Sequence, residues 1–423
     1  MSSVLNVNAQ SNYINAIRHD APELAHFGEF AIGVQTLTFT NPDQPDVLNT
    51  TSGKKTERYD RELVIEIWYP ARLAEGQEPG GQYKAVSRNP EVTATLHGSA
   101  VRDAAALRTE TRFPLVVISH GYPGNRYLMS HLGENLASKG YVVVSIDHKD
   151  STYDDLGPLT STLYNRPMDQ RFAIDYVAAL TNEPNSFLEG VADVGNTAVI
   201  GYSMGGYGLV NNMGGGFSDE AVTSPHGPPN GLLAPLATSH PDYRTQLDAR
   251  IKVGVAIAPW GMTHGVWRSK DLHGIKVPAL FVSGSLDKTA GYEEGTRAIY
   301  ENSINSDRYL LTYVDAGHNA AAPMPVPWEI LNSDNKAPAD HYLDPVWDTL
   351  RMNNVLAHFV TAFLDYYLKG DTQKATYLDL VPHSKDAVYS ITKDQPVSDH
   401  TYWKGFPKGT AQGLIFEHLP PGK

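Results

Sequence analysis

The sequence predicts a doubly wound α/β fold, in which helices cover both faces of a mostly parallel sheet of eight strands. Short apolar, β-branched runs alternate with segments that carry apolar residues at helical spacing, as expected for repeated strand–helix–strand units. Several of these runs, such as LVVIS at 115–119 and VVVSI at 142–146, are apolar on both faces. This pattern is typical of strands in a parallel sheet that helices cover.

The eight predicted strands differ in character along the chain. The first two alternate in part between apolar and polar residues and are joined by a polar segment, which favours an antiparallel ribbon. The later six are short buried runs, which favours the parallel part of the sheet. The predicted strands are Val34 to Thr40, Glu62 to Tyr69, Pro114 to Ser119, Tyr141 to Asp147, Thr197 to Ser203, Ile251 to Ala258, Ala279 to Ser283 and Tyr309 to Val314.

The segments between and after these strands carry the helical pattern. Apolar residues recur three and four positions apart, as in Phe172, Tyr176 and Ala179. This spacing predicts helices over Leu128 to Ser138, Met168 to Leu180, Met204 to Met213, Tyr292 to Asn302 and Val346 to Leu368.

One large domain accounts for most of the chain. We expect an N-terminal extension over residues 1–29, the α/β domain over 30–370, and a C-terminal segment over 371–423 packed on the same domain. Two connections, about 214–250 and 319–345, are longer than the loops of compact domains usually are. Such loops are typical of lids and binding loops, and tolerated surface insertions are the alternative.

Composition excludes several classes of protein. The 423 residues include 34 Lys and Arg against 47 Asp and Glu, a net charge of −13, which disfavours nucleic-acid and membrane-surface proteins. The absence of cysteine excludes disulfides, Cys-based zinc sites and a thiol nucleophile. No apolar stretch is long enough to span a membrane, and the N-terminus lacks a signal pattern. We therefore expect a cytoplasmic chain as written, or a secreted or periplasmic one if a signal has been removed.

The motif Gly201-Tyr202-Ser203-Met204-Gly205 stands between a predicted strand and a predicted helix. This is the setting of a nucleophile elbow, in which a serine occupies a strained turn and small neighbours let the strand and the helix pass close together. A glycine-rich turn kept for packing is the alternative. Ser203 is the candidate nucleophile.

A serine nucleophile needs a base, and the base needs a carboxylate that orients it. Asp287 follows the seventh predicted strand, and His318 follows the eighth. Both lie at carboxyl ends of strands, where catalytic groups gather in open α/β sheets. The chain order Ser, Asp, His is the one that accompanies an elbow motif.

An oxyanion formed at Ser203 requires two N–H donors. Met204, directly after the nucleophile, supplies one, and the loop after the third predicted strand supplies the other. In that loop we expect Tyr122 to be the donor, since Pro123 has no N–H. Gly121 lets the backbone approach a substrate closely and is a candidate substrate contact.

Several of these assignments have rivals. Asp287 could instead cap the helix that follows it. Glu293 and Glu294 are rival acids, and His341 is the rival base. Trp260, after the sixth predicted strand, is a candidate aromatic wall for the substrate, with ordinary core packing as the alternative.

The segment HGYPGNRYLMSHLGENLASKGYVVVSIDHKDST at 120–152, together with GYSMGG, closely resembles the platelet-activating-factor acetylhydrolase-like and dienelactone-hydrolase-like branch of the α/β-hydrolases. The resemblance extends from about Phe30 to near Leu368. It implies the α/β-hydrolase fold and serine ester hydrolysis, with Ser203 as nucleophile and Tyr122 and Met204 as oxyanion donors.

The chain departs from this branch after the sixth predicted strand. The acetylhydrolases carry their triad acid there, whereas the stretch AIAPWG has no carboxylate. At this point the chain resembles bacterial cutinase-type polyester hydrolases, in which a Pro-Trp pair takes that position and the acid follows the seventh strand. That resemblance implies Asp287 as the acid. The cysteine nucleophile of dienelactone hydrolases is absent.

The leading hypothesis is a serine carboxylic-ester hydrolase that acts through an acyl-enzyme on a small or medium ester, with neither a cofactor nor a metal. An amidase or peptidase with the same triad and a lipid or polyester hydrolase are the alternatives, followed by a non-catalytic binding protein. The expected partner is a small-molecule ester, with no nucleic acid and no membrane span. The sequence does not determine the oligomeric state.

Overall fold

The computed structural model describes residues 11–393 and 395–423. The first ten residues of the predicted N-terminal extension and Asp394 of the predicted C-terminal segment lie outside the described residues. The strands are β1 (Asn12–Tyr13), β2 (Ala31–Pro45), β3 (Arg58–Arg72), β4 (Gln82–Val86), β5 (Thr93–His97), β6 (Val101–Arg102), β7 (Ala105–Ala106), β8 (Phe113–Ser119), β9 (Val142–Asp147), β10 (Ala192–Tyr202), β11 (Ile251–Ile257), β12 (Ala279–Gly284), β13 (Arg308–Tyr313), β14 (Ile391–Thr392), β15 (Gln395–Pro396) and β16 (Leu414–Leu419). The α-helices are α1 (Ser130–Ala137), α2 (Leu159–Asn182), α3 (Met204–Met213), α4 (Asp219–Val222), α5 (Ala298–Asn302), α6 (Trp328–Leu331) and α7 (Thr349–Tyr367).

The main sheet has eleven strands in the order β16-β13-β12-β11-β10-β8-β9-β3-β2-β6, with β7 paired on β3. The pairs that run from β9 through β8, β10, β11 and β12 to β13 are parallel. β2, β3 and β16 join antiparallel. The carboxyl ends of the parallel strands therefore meet at one edge of the sheet, and the loops with Ser203, Asp287 and His318 leave from that edge.

The predicted α/β class is confirmed, and all eight predicted strands are present as β2, β3 and β8 to β13. The prediction of eight strands is too low, because β6, β7 and β16 also pair with this sheet. β6 and β7 are two residues long and cannot show a periodic pattern. β16 follows a long irregular segment, so no alternation of strand and helix pointed to it.

Helices pack on both faces of the sheet. β8 is buried along its whole length, with Val116 and Ile118 on one face and Leu115 and Val117 on the other. The first face packs against α1 and α7, and the second packs against α2 and α3. Because each side chain of such a strand meets a helix layer, the strand sequence is apolar throughout.

Two helices differ from their predicted form. α2 begins at Leu159 rather than at Met168 and continues through Pro167, which lies inside the helix. Its first turns lack an apolar pattern because polar side chains are buried there, namely Ser161, Thr162, Asn165 and Arg166. The helix predicted over Tyr292 to Asn302 starts with a π-helical turn, Tyr292–Arg297, and continues as α5.

The terminal segments pack against the same structure. Lys139 at the end of α1 donates hydrogen bonds to the carbonyl of Leu24 and to Thr361 Oγ1 on α7, which ties the N-terminal segment to both helices. The C-terminal segment returns to the main sheet through β16, antiparallel to β13. Among the helices in residues 11–393 and 395–423, none combines the length and the apolar character of a membrane span.

Four histidines lie buried in this fold, and burial lowers the pKa of each. The pKa falls to about 3 for His131, His148 and His358, and well below its usual range for His120. His131 on α1 differs from the others because neither ring nitrogen has a hydrogen-bond partner among the described residues. An unpaired polar group in the interior destabilises the fold.

Replacing His131 by leucine is expected to make the protein more resistant to acid. In the unfolded chain a histidine takes up its proton near pH 6.5, whereas folded His131 stays neutral down to about pH 3. The unfolded state therefore binds more protons as the pH falls, and His131 alone lowers the free energy of unfolding by about 2 kcal/mol between pH 8 and pH 5. Urea unfolding at both pH values measures this drop.

The drop should be smaller in His131→Leu than in the parent protein. His226→Leu is the matched control because His226 is exposed, and it should leave the drop unchanged. An equal drop in His131→Leu and in the parent would contradict the burial of a neutral imidazole at this position.

Candidate active site

The elbow residue Ser203 lies between β10 and α3 in a backbone conformation that few residues adopt, with φ 53° and ψ −111°. The glycines around it have no space for a side chain. A Cβ on Gly201 would lie 2.2 Å from the carbonyl oxygen of Gly205, and a Cβ on Gly205 would lie 2.0 Å from the carbonyl oxygen of Ser119. The strand and the helix can cross this closely only because both positions are glycine.

Ser203, His318 and Asp287 form a continuous chain of hydrogen bonds. Ser203 Oγ lies 3.0 Å from His318 Nε2, and His318 Nδ1 lies 2.9 Å from Asp287 Oδ2. The side chain of Asp287 has no exposed surface, and its other oxygen, Oδ1, accepts the N–H groups of Thr289 and Ala290 at 2.8 and 3.1 Å. A carboxylate held in this way keeps the proton on Nδ1, so that Nε2 is free to accept the serine proton.

The rival residues lie elsewhere. Glu293 and Glu294 are exposed on the π-helical turn, and Glu293 pairs with Arg297 at 3.7 Å. Neither forms a hydrogen bond with a histidine among the described residues. His341 accepts or donates a hydrogen bond with Tyr153 Oη at 2.8 Å, and burial lowers its pKa to about 3. It lines the same cavity as Ser203 without bonding to it.

The two candidate oxyanion donors lie on either side of the nucleophile. Met204 is the first residue of α3, so its N–H has no acceptor within the helix. Gly121 lies against the elbow, since a Cβ there would be 3.3 Å from the Cβ of Ser203. No acceptor among the described residues takes the N–H of Tyr122 or of Met204. Both N–H groups are therefore available to an oxygen atom beside Ser203.

A buried polar network supports the loop with Tyr122 from behind. His120 Nδ1 donates to the carbonyl of Gly121 at 2.7 Å, and His120 Nε2 accepts the backbone N–H of His148 at 3.2 Å. Arg166 on α2 donates to the carbonyls of His120 and Gly121 and to Ser151 Oγ. His120 and Arg166 are each 1% exposed. The backbone of this loop is thus fixed on the side that faces away from the cavity.

A second set of Ser, His and Asp lies beneath this loop. Ser119 Oγ is 2.8 Å from His148 Nε2, and His148 Nδ1 is 2.9 Å from Asp169 Oδ2. Burial would raise the pKa of Asp169, but the Arg61 charge and the hydrogen bonds from His148 and Arg61 hold it at about 2. Ser119 is 0% exposed, so this set cannot meet a substrate. We interpret it as a support of the loop.

Ser203 opens into a cavity of about 480 Å³. Trp260 is not among the lining residues, and its half-buried ring stacks on His264 with a centroid distance of 4.3 Å. The geometry thus places the Trp260 ring in packing contacts beside the site. The cavity is lined by Arg88, Gly121, Tyr122, Tyr202, Ser203, Thr289, His318, Asn319, Ala337, Pro338, Asp340 and His341.

The two long connections contribute unequally to this cavity. Residues 337–341 of the connection 319–345 form part of its wall, whereas none of residues 214–250 lines it. Asn319 holds the connection 319–345 in place, because its amide donates to the carbonyls of Asp340 and Leu343 at 2.8 and 2.9 Å. Tyr202, next to the nucleophile, donates to Asn319 Oδ1 at 3.1 Å. The connection 319–345 is therefore coupled directly to the elbow.

Sequence reasoning pointed to His120 as a support of the loop with Tyr122, which its hydrogen bonds bear out, but missed Arg166 and Asp169. A signal for them was present. Arg166, Asp169, Ala173 and Val177 recur three and four positions apart on α2, and all are buried. Charged residues that continue an apolar stripe indicate a buried ionic network, since buried charges are paired or hydrogen-bonded.

The sequence is similar to known families and proteins. A family model named PETase and described as PET hydrolase-like matches residues 91–218, which include the elbow and the loop with Tyr122. Cutinase 2 of Thermobifida cellulosilytica is 25% identical over 287 residues, 68% of this chain and 80% of that protein. Platelet-activating factor acetylhydrolase of Bos taurus is 38% identical over 60 residues, 14% of this chain and 12% of that protein.

A solved structure shares the overall architecture. The ferulic acid esterase from Streptomyces cinnamoneus superimposes with a TM-score of 0.56 and 21% identity, over 90% of this chain and 98% of that chain. This similarity confirms the α/β-hydrolase fold. The resemblance to acetylhydrolases, with features of the cutinase type, is confirmed by the two curated relatives and the family model. The chain is an ester hydrolase with the α/β-hydrolase fold and cutinase-type features.

Proposed function

We propose that this ester hydrolase is a serine carboxylic-ester hydrolase that works through an acyl-enzyme intermediate. The hydrogen-bonded chain from Asp287 through His318 to Ser203, open to a cavity at the Ser203 end, supports this proposal. A serine hydroxyl becomes a competent nucleophile when an oriented imidazole removes its proton, and the three side chains have the distances that this step requires.

In the first half of the reaction, Ser203 Oγ attacks the ester carbonyl carbon while His318 Nε2 takes the serine proton. Asp287 stabilises the imidazolium that forms. The carbonyl oxygen becomes an oxyanion between the N–H groups of Tyr122 and Met204. When the tetrahedral intermediate collapses, the C–O bond to the alcohol breaks, and His318 gives its proton to the leaving oxygen.

The second half repeats these steps with water. A water molecule takes the place of the alcohol beside His318. His318 Nε2 removes a proton from this water as the water oxygen attacks the acyl carbon. The same two N–H groups hold the second oxyanion. Collapse breaks the bond to Ser203 Oγ, which regains a proton from His318, and the carboxylic acid leaves. The protein groups that take part in both halves are the same: Ser203, His318, Asp287 and the two backbone N–H groups.

The dimensions of the cavity support a small or medium ester as substrate. Its volume of about 480 Å³ lies within the range of roughly 300–1,000 Å³ that is typical of small-molecule sites. Part of its wall is polar, with groups from Arg88, Asp340 and His341. A long, flexible acyl chain gains little from contact with such groups, because its stabilisation depends on apolar contact.

The relatives favour a second candidate, the hydrolysis of a polyester. The matched family model is PET hydrolase-like, and the curated relative at 25% identity is a cutinase. Against this candidate, the cavity wall near Ser203 carries the polar groups of Arg88, Asp340 and His341, which offer a polymer chain few apolar contacts. We therefore rank polyesters behind small esters.

Hydrolysis of p-nitrophenyl acetate, butyrate, octanoate and palmitate, beside a p-nitroanilide and an aliphatic polyester film, tests the proposal. We expect the acetate and butyrate esters to have the highest kcat/KM, with little turnover of the anilide. Higher rates on palmitate or on the film would replace the small-ester substrate by a lipid or a polymer. If folded protein hydrolyses none of the esters, the proposed function is wrong.

A further inference from the structure

Arg166 is a buried cation whose partners are neutral. Its guanidinium donates to two backbone carbonyls, those of His120 and Gly121, and to Ser151 Oγ at 2.6 Å. Among the described residues no carboxylate forms an ion pair with it, and Nε has no hydrogen-bond partner. Two of its three hydrogen-bond partners, the carbonyls of His120 and Gly121, belong to the loop with Tyr122. The positive charge therefore lies against the backbone of that loop.

The carbonyl of Gly121 and the N–H of Tyr122 belong to one peptide group. This peptide bond is not cis, so its C=O and N–H point in opposite directions within one plane. His120 Nδ1 and Arg166 Nη2 hold the carbonyl at 2.7 and 3.2 Å on the buried side. The N–H of Tyr122 consequently points to the other side, where Gly121, Tyr122 and Ser203 line the cavity.

We propose that Arg166 is a positioning residue for the oxyanion: it orients the Gly121–Tyr122 peptide group, with the help of His120, and its charge strengthens the Tyr122 N–H as a donor. A hydrogen bond from a cation to the carbonyl polarises the amide and makes its N–H a better donor. The same charge is buried and so little screened by solvent, and it attracts the negative oxygen of the tetrahedral intermediate.

The charge state of the network agrees with this role. Burial lowers the pKa of Arg166 to about 9, against the opposing attraction of Asp169, so the guanidinium remains charged at pH 7. Burial also lowers the pKa of His120 well below its usual range, and its Nε2 accepts the N–H of His148. His120 is therefore neutral and donates to Gly121 from Nδ1, which leaves Arg166 as the one cation that contacts this peptide among the described residues.

The inference rests on the proposed serine mechanism, and its test keeps the two separate. Three variants are compared with the parent protein: Arg166→Met, Arg166→Lys and Arg308→Met. Arg308 is the matched control because it is also buried and donates to backbone carbonyls, among them those of Tyr300 and Glu301. It lies at the opposite end of β13 from His318, so its loss affects folding alone.

For Arg166→Met we expect kcat on p-nitrophenyl butyrate to fall by about 10- to 100-fold with KM unchanged, since loss of a whole oxyanion donor costs about 10²- to 10³-fold. Binding of a trifluoromethyl ketone, which forms a tetrahedral oxyanion on the nucleophile, should weaken by the same factor. Arg166→Lys keeps the charge and should recover part of the loss. Arg308→Met should lower the melting temperature without changing kcat per folded molecule.

Unchanged kcat and ketone affinity in folded Arg166→Met would overturn the inference and leave the serine mechanism intact. An inactive parent protein would instead overturn the proposed function. If Arg166→Met does not fold, His120→Leu and His120→Asn replace it, because asparagine retains a donor near the position of Nδ1 and leucine does not. A lower kcat in the leucine variant alone supports the inference, and equal activity in both contradicts it.

Discussion

Replacing Ser203 by alanine is expected to lower kcat for ester hydrolysis by about six orders of magnitude, as loss of the nucleophile does in serine hydrolases. No neighbouring group can replace it, because His318 Nε2 faces Ser203 Oγ at 3.0 Å and has no other hydroxyl partner among the described residues. The fold should not change, since alanine removes one oxygen from a site that already opens into a cavity. Hydrolysis of p-nitrophenyl butyrate measures the loss in kcat, and circular dichroism shows whether the fold is retained.

The buried residue Ser119 provides a control for the assignment of Ser203 as the nucleophile. A fluorophosphonate should label the parent protein at Ser203, and peptide mass spectrometry should find the adduct on the peptide with the elbow. Ser119→Ala should still be labelled, because Ser119 is 0% exposed although it also bonds to a histidine. Label on Ser119, or full activity of Ser203→Ala, would show that the wrong serine has been assigned.

Replacing Asp287 by asparagine is expected to lower kcat by about four orders of magnitude, the loss found when a triad aspartate becomes an amide. One carboxylate oxygen of Asp287 accepts a hydrogen bond from His318, and the other accepts hydrogen bonds from two backbone N–H groups. Both positions therefore require an acceptor. An amide that keeps the backbone bonds with its oxygen turns its NH₂ toward His318. The imidazole then adopts the tautomer with a proton on Nε2 and can no longer take one from Ser203.

Steady-state kinetics of Asp287→Asn should show the loss in kcat, with KM little changed because the carboxylate does not reach the cavity. Glu294→Gln is the matched control, since Glu294 follows the same strand and was a rival acid, but lies exposed on the π-helical turn. We expect it to retain the parent activity. If Glu294→Gln is the weaker enzyme of the two, Asp287 serves only to cap the turn that contains Thr289 and Ala290.

The parallel part of the sheet could be predicted because burial on both faces leaves an unambiguous pattern. Val142–Asp147 and Phe113–Ser119 are nearly all buried, and their sequences show it directly. The candidate residues Ser203, Asp287 and His318 could be singled out for a related reason. Each follows a strand of this kind, and parallel strands bring their carboxyl ends to one edge of the sheet. The structure brings the three side chains together at that edge.

Other features depend on contacts that no local pattern records. The polar start of α2 reads as a loop. Arg166 is nevertheless buried there, because it bonds to His120 and Ser151 in the loops after β8 and β9, which are distant in sequence. The glycine- and proline-rich connection 214–250 was predicted to be either a lid or a surface insertion, and none of its residues lines the cavity. Composition predicted that both long connections are irregular, whereas their position depends on long-range hydrogen bonds such as those of Asn319.

The antiparallel pairing of β16 with β13 also affects how the chain can be made. β13 leads toward the loop with His318, and without β16 the N–H and C=O groups of every second residue along its outer edge would be unpaired. During synthesis this edge stays uncovered until Leu414–Leu419 has left the ribosome, and an uncovered edge can recruit a strand from another chain. β16, which is made well after β13, therefore protects this edge of the sheet from aggregation, and a chain truncated before Leu414 would lose that protection.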